Sequence, residues 1–573
     1  MLVKVKLNNV EYEADSSLTI LQLAKQHGIK IPTLCYFVRD ESNFEHKPAS
    51  CRVCVCEVKG KRALVPACAT NIYDGMEVFT NNKRVREERK AIVELLLSNH
   101  PKDCLSCEKS GNCALQDLAI ELDIRTRSFE GPLSQEDKDV THESLKKNAS
   151  KCVLCTRCID VCENIQGIGA ISASQRGFKT IISETSNCVN CGQCVQACPT
   201  GALLQVDDTA KVEEALADPT KYVVIHSAPS VRVTLGEEFG LKPGTDVTHK
   251  MVSALRMLGF NKVFDTNFGA DLTIMEEAKE LVNRLTEKKN LPMITSCCPG
   301  WIGFIETQYP ELLNLPSSCK SPQEMFGSIV KTYFATKEGI DPKNIVVVSL
   351  MPCIAKKQEL LRDELKLDGM HANDYSVSVK ELARMLKRYG IDLPSLEDSD
   401  FDNPLGTSTG AADIFGNAGG VMEAALRTAS MWLTNTCPDK IDFKDVANTN
   451  NTKEATVTLN GTTLNVAYVS GLKNARKLLD DIKNGTSHYD FIEVMACPGG
   501  CIAGGGQPVT KGYTSKELIE LRRQGIINID LNKKVRVSCE NEDIKKLYND
   551  FLVEPNSKTA HHILHTHYTS KVK

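Results

Sequence analysis

The chain contains 573 residues, of which 24 are cysteine, with 42% hydrophobic and 25% charged residues and a net charge of −4 at pH 7. This near-neutral charge gives no electrostatic reason to expect nucleic acid or an anionic membrane as a partner. No apolar run is long enough to span a bilayer, and the first residues lack the layout of a signal peptide. The sequence therefore predicts a soluble cytoplasmic protein, in which cysteines bind metal more often than they form disulfides.

The first 80 residues have the pattern of a small β-rich domain. Alternating apolar residues on either side of Asn8-Asn9 predict a hairpin, and the segment from Ser17 to Gly28 predicts a helix. Potential ligands follow at Cys35, Cys51, Cys54 and Cys68. This spacing fits a plant-type 2Fe–2S cluster on a β-grasp fold, although the gap between Cys35 and Cys51 is longer than usual. The spacing alone does not exclude a structural zinc site. The hairpin and helix favour the iron–sulfur interpretation for residues 1–80.

A helix predicted over residues 84–99 leads to a second group of potential ligands, namely His100, Cys104, Cys107 and Cys113. A lone histidine at a helix end is most often a surface residue. Here the three cysteines lack a fourth ligand, which favours a histidine-ligated 4Fe–4S domain over residues 81–126. A zinc site with the same four ligands is the alternative.

Residues 127–149 are polar and predict a linker or loop, and a repeat follows in the domain that we assign to residues 140–209. Each repeat has four cysteines separated by two, two and three residues, as in bacterial two-cluster ferredoxins, where the fourth cysteine binds the other cluster. We therefore expect one 4Fe–4S cluster on Cys152, Cys155, Cys158 and Cys198, and another on Cys188, Cys191, Cys194 and Cys162. A zinc ribbon needs only four ligands, so two full repeats argue against it.

Residues 210–573 alternate long helical patterns with apolar β-branched runs such as Tyr222–Ile225, Ile345–Val348 and Phe491–Val494. This alternation predicts an α/β domain, and the chain as a whole is expected to be a multidomain protein of α+β and α/β parts. Residues 394–409 are acidic and rich in turn formers, and they predict a surface loop. The histidine-rich segment from Ala560 to His567 is interpreted as the end of a terminal helix and not as a metal site.

Three short segments of this large domain contain clustered cysteines: Thr295–Trp301 with Cys297 and Cys298, Leu350–Lys357 with Cys353, and Glu493–Cys501 with Cys497 and Cys501. Each segment follows an apolar run and is expected at a strand end, where α/β folds place their sites. Four thiolates from three strand ends could hold one further cubane.

These three segments resemble the active-site signatures of the FeFe-hydrogenases. The resemblance covers essentially the whole chain, includes the order of the N-terminal modules, and is greatest to the large monomeric clostridial members. It implies two α/β lobes with an H-cluster in the cleft, a 4Fe–4S cubane joined to a two-iron subsite that carries CO, cyanide and azadithiolate. By motif position, the cubane would be bound by Cys298, Cys353, Cys497 and Cys501, with Cys501 as the bridge.

The resemblance also implies which residues surround the two-iron subsite. Lys356 and the segment Ala228-Pro229-Ser230 would donate hydrogen bonds to the cyanides, and Gln323, Met351, Phe415 and Met495 would line the pocket. Thioethers and aromatic rings suit a dry site around low-valent iron. From the residue types alone, the methionines and Phe415 would be read as ordinary core.

A proton route is expected along a helix that the pattern predicts over Asp271–Lys289. Glu277 borders the predicted buried stripe of this helix, where a carboxylate can be partly desolvated and exchange protons near neutral pH. A solvated charged face is the more common outcome for such residues. The resemblance implies a relay of Cys297, Glu277, Ser317 and Glu280, with Arg284 near the surface.

The implied function is the reversible reduction of protons to hydrogen with electrons from ferredoxin or flavodoxin. It would use one 2Fe–2S cluster, three accessory 4Fe–4S clusters and the H-cluster, in a monomer that depends on H-cluster maturation proteins. A respiratory NADH-dehydrogenase-type subunit shares the N-terminal modules but should lack the three signatures. An iron–sulfur assembly protein is not expected to carry the relay or the 2Fe–2S module, and a hydrogen sensor is expected to carry an appended signalling domain.

Overall fold

The computed structural model describes residues 1–39, 42–437, 441–446, 451–509 and 515–572. It is a mixed α/β structure with several sheets. Among the described residues, no helix combines the length and the apolar character needed to cross a membrane.

The N-terminal part contains a five-stranded sheet that β1 and β2 begin as a hairpin. Residue Leu7 pairs with Val10, and both turn residues, Asn8 and Asn9, have positive φ angles of 49° and 71°. Two consecutive left-handed residues define the tight hairpin turn that matches strand twist, which confirms the hairpin prediction. The elements are β1 (Leu2–Leu7), β2 (Val10–Asp15), α1 (Ile20–Gln26), β3 (Phe37–Arg39), β4 (Phe44–His46), β5 (Val55–Val58), β6 (Val65–Pro66), β7 (Met76–Phe79), α2 (Lys83–Ser98) and α3 (Ala114–Glu121).

The start of α1 differs from the prediction. Thr19, not Ser17, is the N-cap, and its side chain and that of Gln22 form a reciprocal capping box. The Ser17 backbone instead donates to the Asp15 carboxylate in the turn before the helix. A capping box satisfies two backbone donors at once, which explains why the helix begins after Thr19.

The second part contains the two cysteine repeats between short strands and helices. Two of these strands, β8 and β9, lie within residues 127–149, so the prediction of a linker or loop there is wrong for that half of the segment. Residues 145–148 are ordered by antiparallel pairing with residues 203–205, a partner distant in sequence. The elements are β8 (Asp139–Thr141), β9 (Leu145–Asn148), α4 (Arg157–Asp160), β10 (Ile171–Ser174), β11 (Ile181–Glu184), α5 (Gln193–Ala197) and β12 (Leu203–Gln205).

The C-terminal part contains two sheets with helices packed against them, and the strand predictions for this part are confirmed. The first sheet is parallel, with strand order β14-β13-β16-β17, and the second is mixed, with order β15-β21-β20-β19-β18. Their strands are β13 (Tyr222–Ser227), β14 (Lys262–Asp265), β15 (Met293–Ile294), β16 (Ile345–Met351), β17 (Tyr375–Ser378), β18 (Lys444–Asp445), β19 (Thr452–Leu459), β20 (Thr462–Ser470) and β21 (Phe491–Met495).

The helices of this part cover both sheets and separate their cores. They are α6 (Thr209–Ala217), α7 (Thr248–Met257), α8 (Thr266–Glu287), α9 (Pro299–Gln308), α10 (Pro322–Ile329), α11 (Ala335–Glu338), α12 (Ala355–Glu359), α13 (Val379–Arg388), α14 (Gly410–Asp413), α15 (Gly420–Thr434), α16 (Leu472–Lys483), α17 (Lys516–Asn532), α18 (Glu542–Leu547) and α19 (Lys558–Leu564). Strands β13 and β16 are buried on both faces, as expected for a parallel sheet covered by helices.

The segment at residues 394–409 is irregular but only partly at the surface. Leu405 and Thr409 are buried, and the Thr409 hydroxyl donates to the Asp271 carboxylate of α8 at 2.6 Å. The prediction of a surface loop is therefore wrong for the second half of this segment, because its backbone crosses the end of α8.

Candidate active site and electron-transfer centres

The ends of four strands from the two sheets face one cleft. Cys297 and Cys298 follow β15, Cys353 follows β16, Cys497 follows β21, and the Ala228-Pro229-Ser230 segment follows β13. The predicted pocket residues line the same cleft as these thiols: Ala228, Pro229, Ser230, Cys297, Cys298, Gln323, Met351, Cys353, Lys356, Phe415, Met495, Cys497 and Cys501. The structure thus brings together residues that are up to 273 positions apart between Ala228 and Cys501.

A sharp turn places Cys497 and Cys501 on the same cleft. Gly499 and Gly500 between them have positive φ angles of 88° and 98°. A Cβ atom on Gly500 would lie 2.5 Å from the Ala418 backbone nitrogen, closer than real Cβ contacts allow. Glycine is therefore required at this position by both conformation and space.

The chemistry of these thiols fits an iron–sulfur cluster. Burial, followed by neighbouring cysteines, raises the pKa of Cys353 to about 12, and burial likewise raises the pKa of Cys298, Cys497 and Cys501. Four neutral thiols in an apolar cleft are poorly solvated as thiolates, and bound iron would supply the positive charge that ionises them. The donor set is therefore suited to a soft-ligand iron centre.

Lys356 is a buried cation at the edge of this cleft. Its ammonium group donates to Glu359 Oε2 at 2.7 Å and to the Cys297 carbonyl at 3.2 Å. Burial alone would lower the pKa of Lys356, but the Glu359 carboxylate outweighs it and raises the pKa above the ordinary value. Lys356 therefore keeps its charge in the cleft, where it can donate to an anionic ligand.

Glu359 was not identified from the sequence. Besides Lys356, its Oε2 atom accepts from Ser321 Oγ and from Gln323 Nε2, each at 3.0 Å. The i, i+3 spacing of Lys356 and Glu359 on a helix is a signal that could have revealed the pair.

Cys297 lies on the side of the cleft that faces α8, the helix that carries Glu277. Burial, followed by the charge of Glu277, raises the pKa of the Cys297 thiol well above its usual range. Glu277 is 1% exposed, more buried than the sequence pattern suggested. Burial and then the Glu280 carboxylate raise the pKa of Glu277 to about 8. Its carboxylate has no close hydrogen-bond partner among the described residues, although Ser317 lies near enough to favour the charged form slightly.

Glu280 lies one turn further along α8, towards the surface. Ser317 Oγ donates to Glu280 Oε2 at 3.0 Å, and Arg284 Nη2 donates to Glu280 Oε1 at 2.6 Å. The side chains of Glu280 and Arg284 are each 12% exposed. The five residues of the expected relay therefore form a sequence from the cleft to a partly solvated ion pair.

The four N-terminal thiols lie together under the five-stranded sheet. The side chains of Cys35 and Cys51 share a hydrogen bond, as do those of Cys54 and Cys68. The proton shared with Cys51 lowers the pKa of Cys35, and burial acts against this shift. Cys56, which has no place in the expected ligand set, packs against the Arg89 guanidinium at 3.6 Å.

His100 has one ring nitrogen available for a metal. Nδ1 lies 3.2 Å from the Pro101 carbonyl, and the buried Nε2 has no hydrogen-bond partner among the described residues. Burial lowers the pKa of His100, which favours the neutral ring. A neutral imidazole whose Nδ1–H donates to a carbonyl presents Nε2 as a metal ligand, so the ring fits the expected cluster.

The fourth cysteine of each repeat lies near the first three cysteines of the other repeat. Cys198 lines the same cavity as Cys152, Cys155 and Cys158. Burial and then neighbouring thiols, Cys162 among them, raise the pKa values of Cys188, Cys191 and Cys194. The thiols are thus arranged as the ferredoxin pattern predicts, with two groups of four.

The thiol groups follow each other towards the cleft. Cys35, Cys113 and Cys155, one from each of three groups, belong to one packed cluster of side chains. Gln193, between two ligands of the next group, donates to Cys497 Sγ at 3.2 Å. Gln193 was not identified from the sequence, and its position inside a cysteine repeat gave no separate signal.

Arg157 joins the first two parts of the chain. Its guanidinium donates to the Tyr36 carbonyl at 2.8 Å, to the Cys35 carbonyl at 3.3 Å and to the Ala197 carbonyl at 3.4 Å. The backbone of one thiol group is thereby fixed against the helix that carries another.

A series of thiol groups that leads to a thiol-lined cleft between two sheets defines an iron–sulfur oxidoreductase. Family models match the chain in five segments: "Iron only hydrogenase large subunit, C-terminal domain" over residues 221–505, "Iron hydrogenase small subunit" over 516–571, "NADH-ubiquinone oxidoreductase-G iron-sulfur binding region" over 89–128, "2Fe-2S iron-sulfur cluster binding domain" over 1–83 and "4Fe-4S dicluster domain" over 138–202.

Similar proteins cover nearly the whole chain. The NADP-reducing hydrogenase subunit HndD of Solidesulfovibrio fructosivorans is 48% identical over 96% of this chain and 96% of its own. Iron hydrogenase 1 of Clostridium pasteurianum is 40% identical over 98% of this chain and 99% of its own. An apo FeFe-hydrogenase structure from Chlamydomonas reinhardtii, 41% identical, covers 64% of this chain and all of its own with a TM-score of 0.59.

The chain belongs to the FeFe-hydrogenases, the iron-only hydrogenase family. It is therefore an oxidoreductase of hydrogen metabolism whose substrates are protons and hydrogen, and whose cofactors are the H-cluster and 2Fe–2S and 4Fe–4S clusters.

Proposed function

We propose that this enzyme reversibly reduces protons to hydrogen with electrons from reduced ferredoxin. The observation that carries the proposal is the cleft in which four thiols, the Lys356 ammonium and Cys297 come together, with Glu277 beside Cys297. The site supplies metal ligands, a fixed positive charge and a proton-transfer group in one place. The proton/hydrogen couple at pH 7 lies near about −410 mV, since each pH unit contributes about 59 mV. Plant-type ferredoxins have potentials of about −400 mV, so either direction is accessible.

The cofactor complement that we propose uses nineteen cysteines and His100. A 2Fe–2S cluster binds the four cysteines of a β-grasp domain over residues 1–80, and a 4Fe–4S cluster binds His100 and three cysteines over residues 81–126. Two 4Fe–4S clusters occupy a ferredoxin domain over residues 140–209. The H-cluster occupies the catalytic domain over residues 210–573, on Cys298, Cys353, Cys497 and Cys501, with Cys501 as the bridge. The buried, unpartnered Nε2 of His100 supports the mixed ligand set.

The electron route that we propose has two entrances. The N-terminal thiol group and the His100 group both approach Cys155 of the first ferredoxin cluster. From there, electrons pass to the second ferredoxin cluster, whose Cys191 is among the groups that raise the pKa of Cys497 in the cleft. The hydrogen bond from Gln193 to Cys497 Sγ connects the second ferredoxin cluster to the cleft.

The proton route that we propose begins at the ion pair of Arg284 and Glu280. Ser317 connects Glu280 to the neighbourhood of Glu277, which is buried and able to hold a proton near neutral pH. Glu277 reprotonates the Cys297 thiol, which is itself neutral because of its burial and of the nearby carboxylate. When bound, the H-cluster would supply the redox-active iron and a basic amine. Lys356 would hold the anionic ligands of the subsite, while Met351, Phe415 and Met495 line the apolar pocket and keep water out.

The electron partner is the part of this proposal with a second candidate. One relative with 48% identity is named as a subunit of an NADP-reducing hydrogenase, so the second candidate is a partner subunit that handles NADP instead of free ferredoxin. The alternative also bears on the expectation of a monomer, because a subunit works in a complex. Ferredoxin or flavodoxin remains our first assignment, since both can donate directly to surface clusters.

Hydrogen evolution by the purified, fully matured chain distinguishes the two candidates. We expect turnover with reduced ferredoxin or flavodoxin and none with NADPH alone, because iron–sulfur clusters accept single electrons whereas NADPH gives up a hydride. Turnover with NADPH by the chain alone, or turnover only after addition of a second subunit, would contradict the ferredoxin assignment. The same preparation, analysed by light scattering, tests the monomer, and expression without maturation proteins is expected to yield chain without the subsite.

A further inference from the structure

The histidine-rich C-terminal segment contacts the proposed proton route. His565, the residue after α19, is buried, with a side chain 1% exposed. Its Nδ1 atom lies 2.8 Å from Ser318 Oγ, and its Nε2 atom lies 3.0 Å from Glu276 Oε2. Ser318 Oγ is also 3.0 Å from Glu280 Oε2. A continuous row of hydrogen bonds therefore joins Glu276, His565, Ser318 and Glu280.

Glu280, Cys319 and His565 offer ligand atoms within 4.8 Å of one another, an arrangement that could also hold a metal ion. Ser318 Oγ, however, already bridges two of these three residues through hydrogen bonds. A metal ion on His565 Nδ1 would have to displace the Ser318 hydroxyl from His565 and from Glu280, whereas the bond from Nε2 to Glu276 would remain. The geometry therefore favours proton exchange over metal binding.

The hydrogen-bond donors around Glu276 fix the tautomer of the neutral His565 ring. The Tyr548 hydroxyl and the Asn556 backbone N–H donate to the two oxygens of Glu276 at 2.5 and 2.7 Å. Glu276 therefore acts as an acceptor, and His565 Nε2 carries the hydrogen that points to it. In the neutral ring Nδ1 is then bare and accepts the hydrogen of Ser318 Oγ.

A second proton on His565 reverses the Ser318 hydroxyl. Nδ1 then donates to Ser318 Oγ, and the single hydroxyl hydrogen can go only to Glu280 Oε2. The Glu280 carboxylate gains a donor and a nearby positive charge, both of which favour its ionised form. The neutral His565 ring withdraws that donor and makes Glu280 readier to accept a proton.

We propose that His565, held by Glu276, is a positioning residue that sets the proton occupancy of Glu280 through the Ser318 hydroxyl. This inference rests on the proposed proton relay, in which Glu280 is a member. The titratable and charged groups around His565 are Glu276, Glu280, Cys319 and His561, with Tyr548 behind Glu276 and Arg284 behind Glu280. His561 stacks on the His565 ring at 4.2 Å and is exposed, so it lies between the switch and solvent.

The test is the pH dependence of hydrogen evolution by matured His565→Gln, which cannot take a second proton. We expect the midpoint of the acidic limb of the turnover curve, which lies below the decline that Glu277 produces near about pH 8, to move to higher pH by about half to one unit, the change that one hydrogen bond to a carboxylate makes. Ser318→Ala removes the same connection, so it should shift the midpoint similarly, and the double variant should shift it no further. Iron content and the infrared bands of CO and cyanide should match those of the wild type.

The matched control is His562→Gln, because His562 is exposed on α19 and pairs with the exposed Asp368. An unchanged midpoint in His565→Gln, or an equal shift in His562→Gln, would overturn the inference. If His565→Gln fails to fold, an unchanged midpoint in Ser318→Ala overturns it instead. Glu280→Gln separates the two proposals: wild-type turnover in Glu280→Gln defeats the relay itself, whereas slow turnover there with an unchanged His565→Gln profile defeats only the role of His565.

Discussion

Burial gives individual residues of the cleft their chemistry. The Glu277 carboxyl is surrounded by protein and by the charge of Glu280, and it therefore binds its proton near neutral pH. The same burial keeps Cys297 a thiol, while Glu359 keeps Lys356 a cation. All three residues therefore keep a proton near neutral pH, which leaves Glu277 and Cys297 neutral and Lys356 positively charged.

Cys297→Ala should lower hydrogen evolution by at least about 10² to 10⁴-fold, the usual contribution of a positioned acid or base. A methyl group cannot carry a proton, and the apolar lining leaves little room for water to replace it. The measurement is hydrogen evolution with excess reductant, beside iron content and infrared spectra, which should keep their CO and cyanide bands. Cys539→Ala, which removes a cysteine outside every proposed ligand set, should behave as the wild type. Near-normal turnover in Cys297→Ala would exclude the thiol from the relay.

The pKa of Glu277 predicts how hydrogen evolution depends on pH. Below about pH 8 the carboxyl is mostly protonated and can donate to Cys297, and above about pH 8 it is ionised, so turnover should fall as the pH rises through this value. Glu277→Gln keeps the shape but cannot transfer a proton, and it should be slow at every pH. Turnover profiles of the two forms from pH 6 to 10 test this. A wild-type decline that persists unchanged in an active Glu277→Gln would assign it to another group.

Lys356→Ala should weaken the incorporation of the two-iron subsite and leave the cubane in place. The loss of a charge-assisted hydrogen bond removes the contact that holds an anionic ligand, and it also leaves the buried Glu359 carboxylate without its cation. Infrared spectra report the CO and cyanide bands, and iron analysis reports the clusters. Glu359→Gln is the matched variant and should produce a milder loss, since Lys356 stays present but is less well held. A full set of bands in Lys356→Ala would refute this role.

The ends of strands and helices position the residues of the site. The strands β13, β15, β16 and β21 end at the cleft, and the segment that follows each strand contributes residues to the site. Helix α8 begins directly after β14 and carries Glu277 and Glu280 on the turns that lead outward. Helix α2 ends at Ser98, and His100 lies two residues beyond its end with a buried side chain.

His100→Ala should impair one accessory cluster and slow ferredoxin-driven turnover without affecting the H-cluster. The buried Nε2 of His100 has no hydrogen-bond partner among the described residues. The substitution therefore removes a potential metal ligand without breaking a hydrogen bond at that nitrogen. Electron paramagnetic resonance of the reduced protein should lose one 4Fe–4S signal, while the infrared bands remain. His142→Ala, at a half-exposed histidine of the same half of the chain, serves as the control. Unchanged cluster spectra and ferredoxin kinetics would return His100 to the class of ordinary helix-end residues.

The element scale also shows which features could be predicted from sequence. The hairpin at Asn8-Asn9 and the strands of the C-terminal sheets were predictable, because their signals are local: turn residues that adopt positive φ, and β-branched runs of strand length. The strand at residues 145–148 was missed because its order comes from pairing with residues 203–205. The same reason applies to Leu405, which is buried by a helix far away in the sequence.

The residues of the candidate site also divide into those that the local sequence predicts and those that it does not. The cysteine spacings are local patterns from which the ligand groups are predicted, and the structure brings Cys298, Cys353, Cys497 and Cys501 to one cleft. Glu359, Gln193, Ser318 and His565 contact the site only through the tertiary fold, and their own sequence neighbourhoods are ordinary. The histidine-rich segment was interpreted as a plain helix end, and its burial against Glu276 and Ser318 could not be inferred from composition.

At the scale of the whole molecule, two routes meet at one cleft. Thiol groups approach it from the N-terminal parts of the chain, and the row from Arg284 through Glu280 to Cys297 approaches it along α8. In the routes that we propose, electrons and protons therefore reach the cleft from different sides, and the apolar lining of the cleft separates them from water. This arrangement allows a reaction that consumes both at once.

The central claim is that the cleft binds an H-cluster, and infrared spectroscopy of the purified, matured protein tests it most directly. CO and cyanide bound to iron absorb where protein side chains do not, so their bands report the two-iron subsite specifically. The account predicts CO and cyanide bands in the full-length chain, and their loss in Cys501→Ser, which removes the proposed bridge. Iron–sulfur absorbance without any CO or cyanide bands, in protein produced together with maturation proteins, would contradict the account.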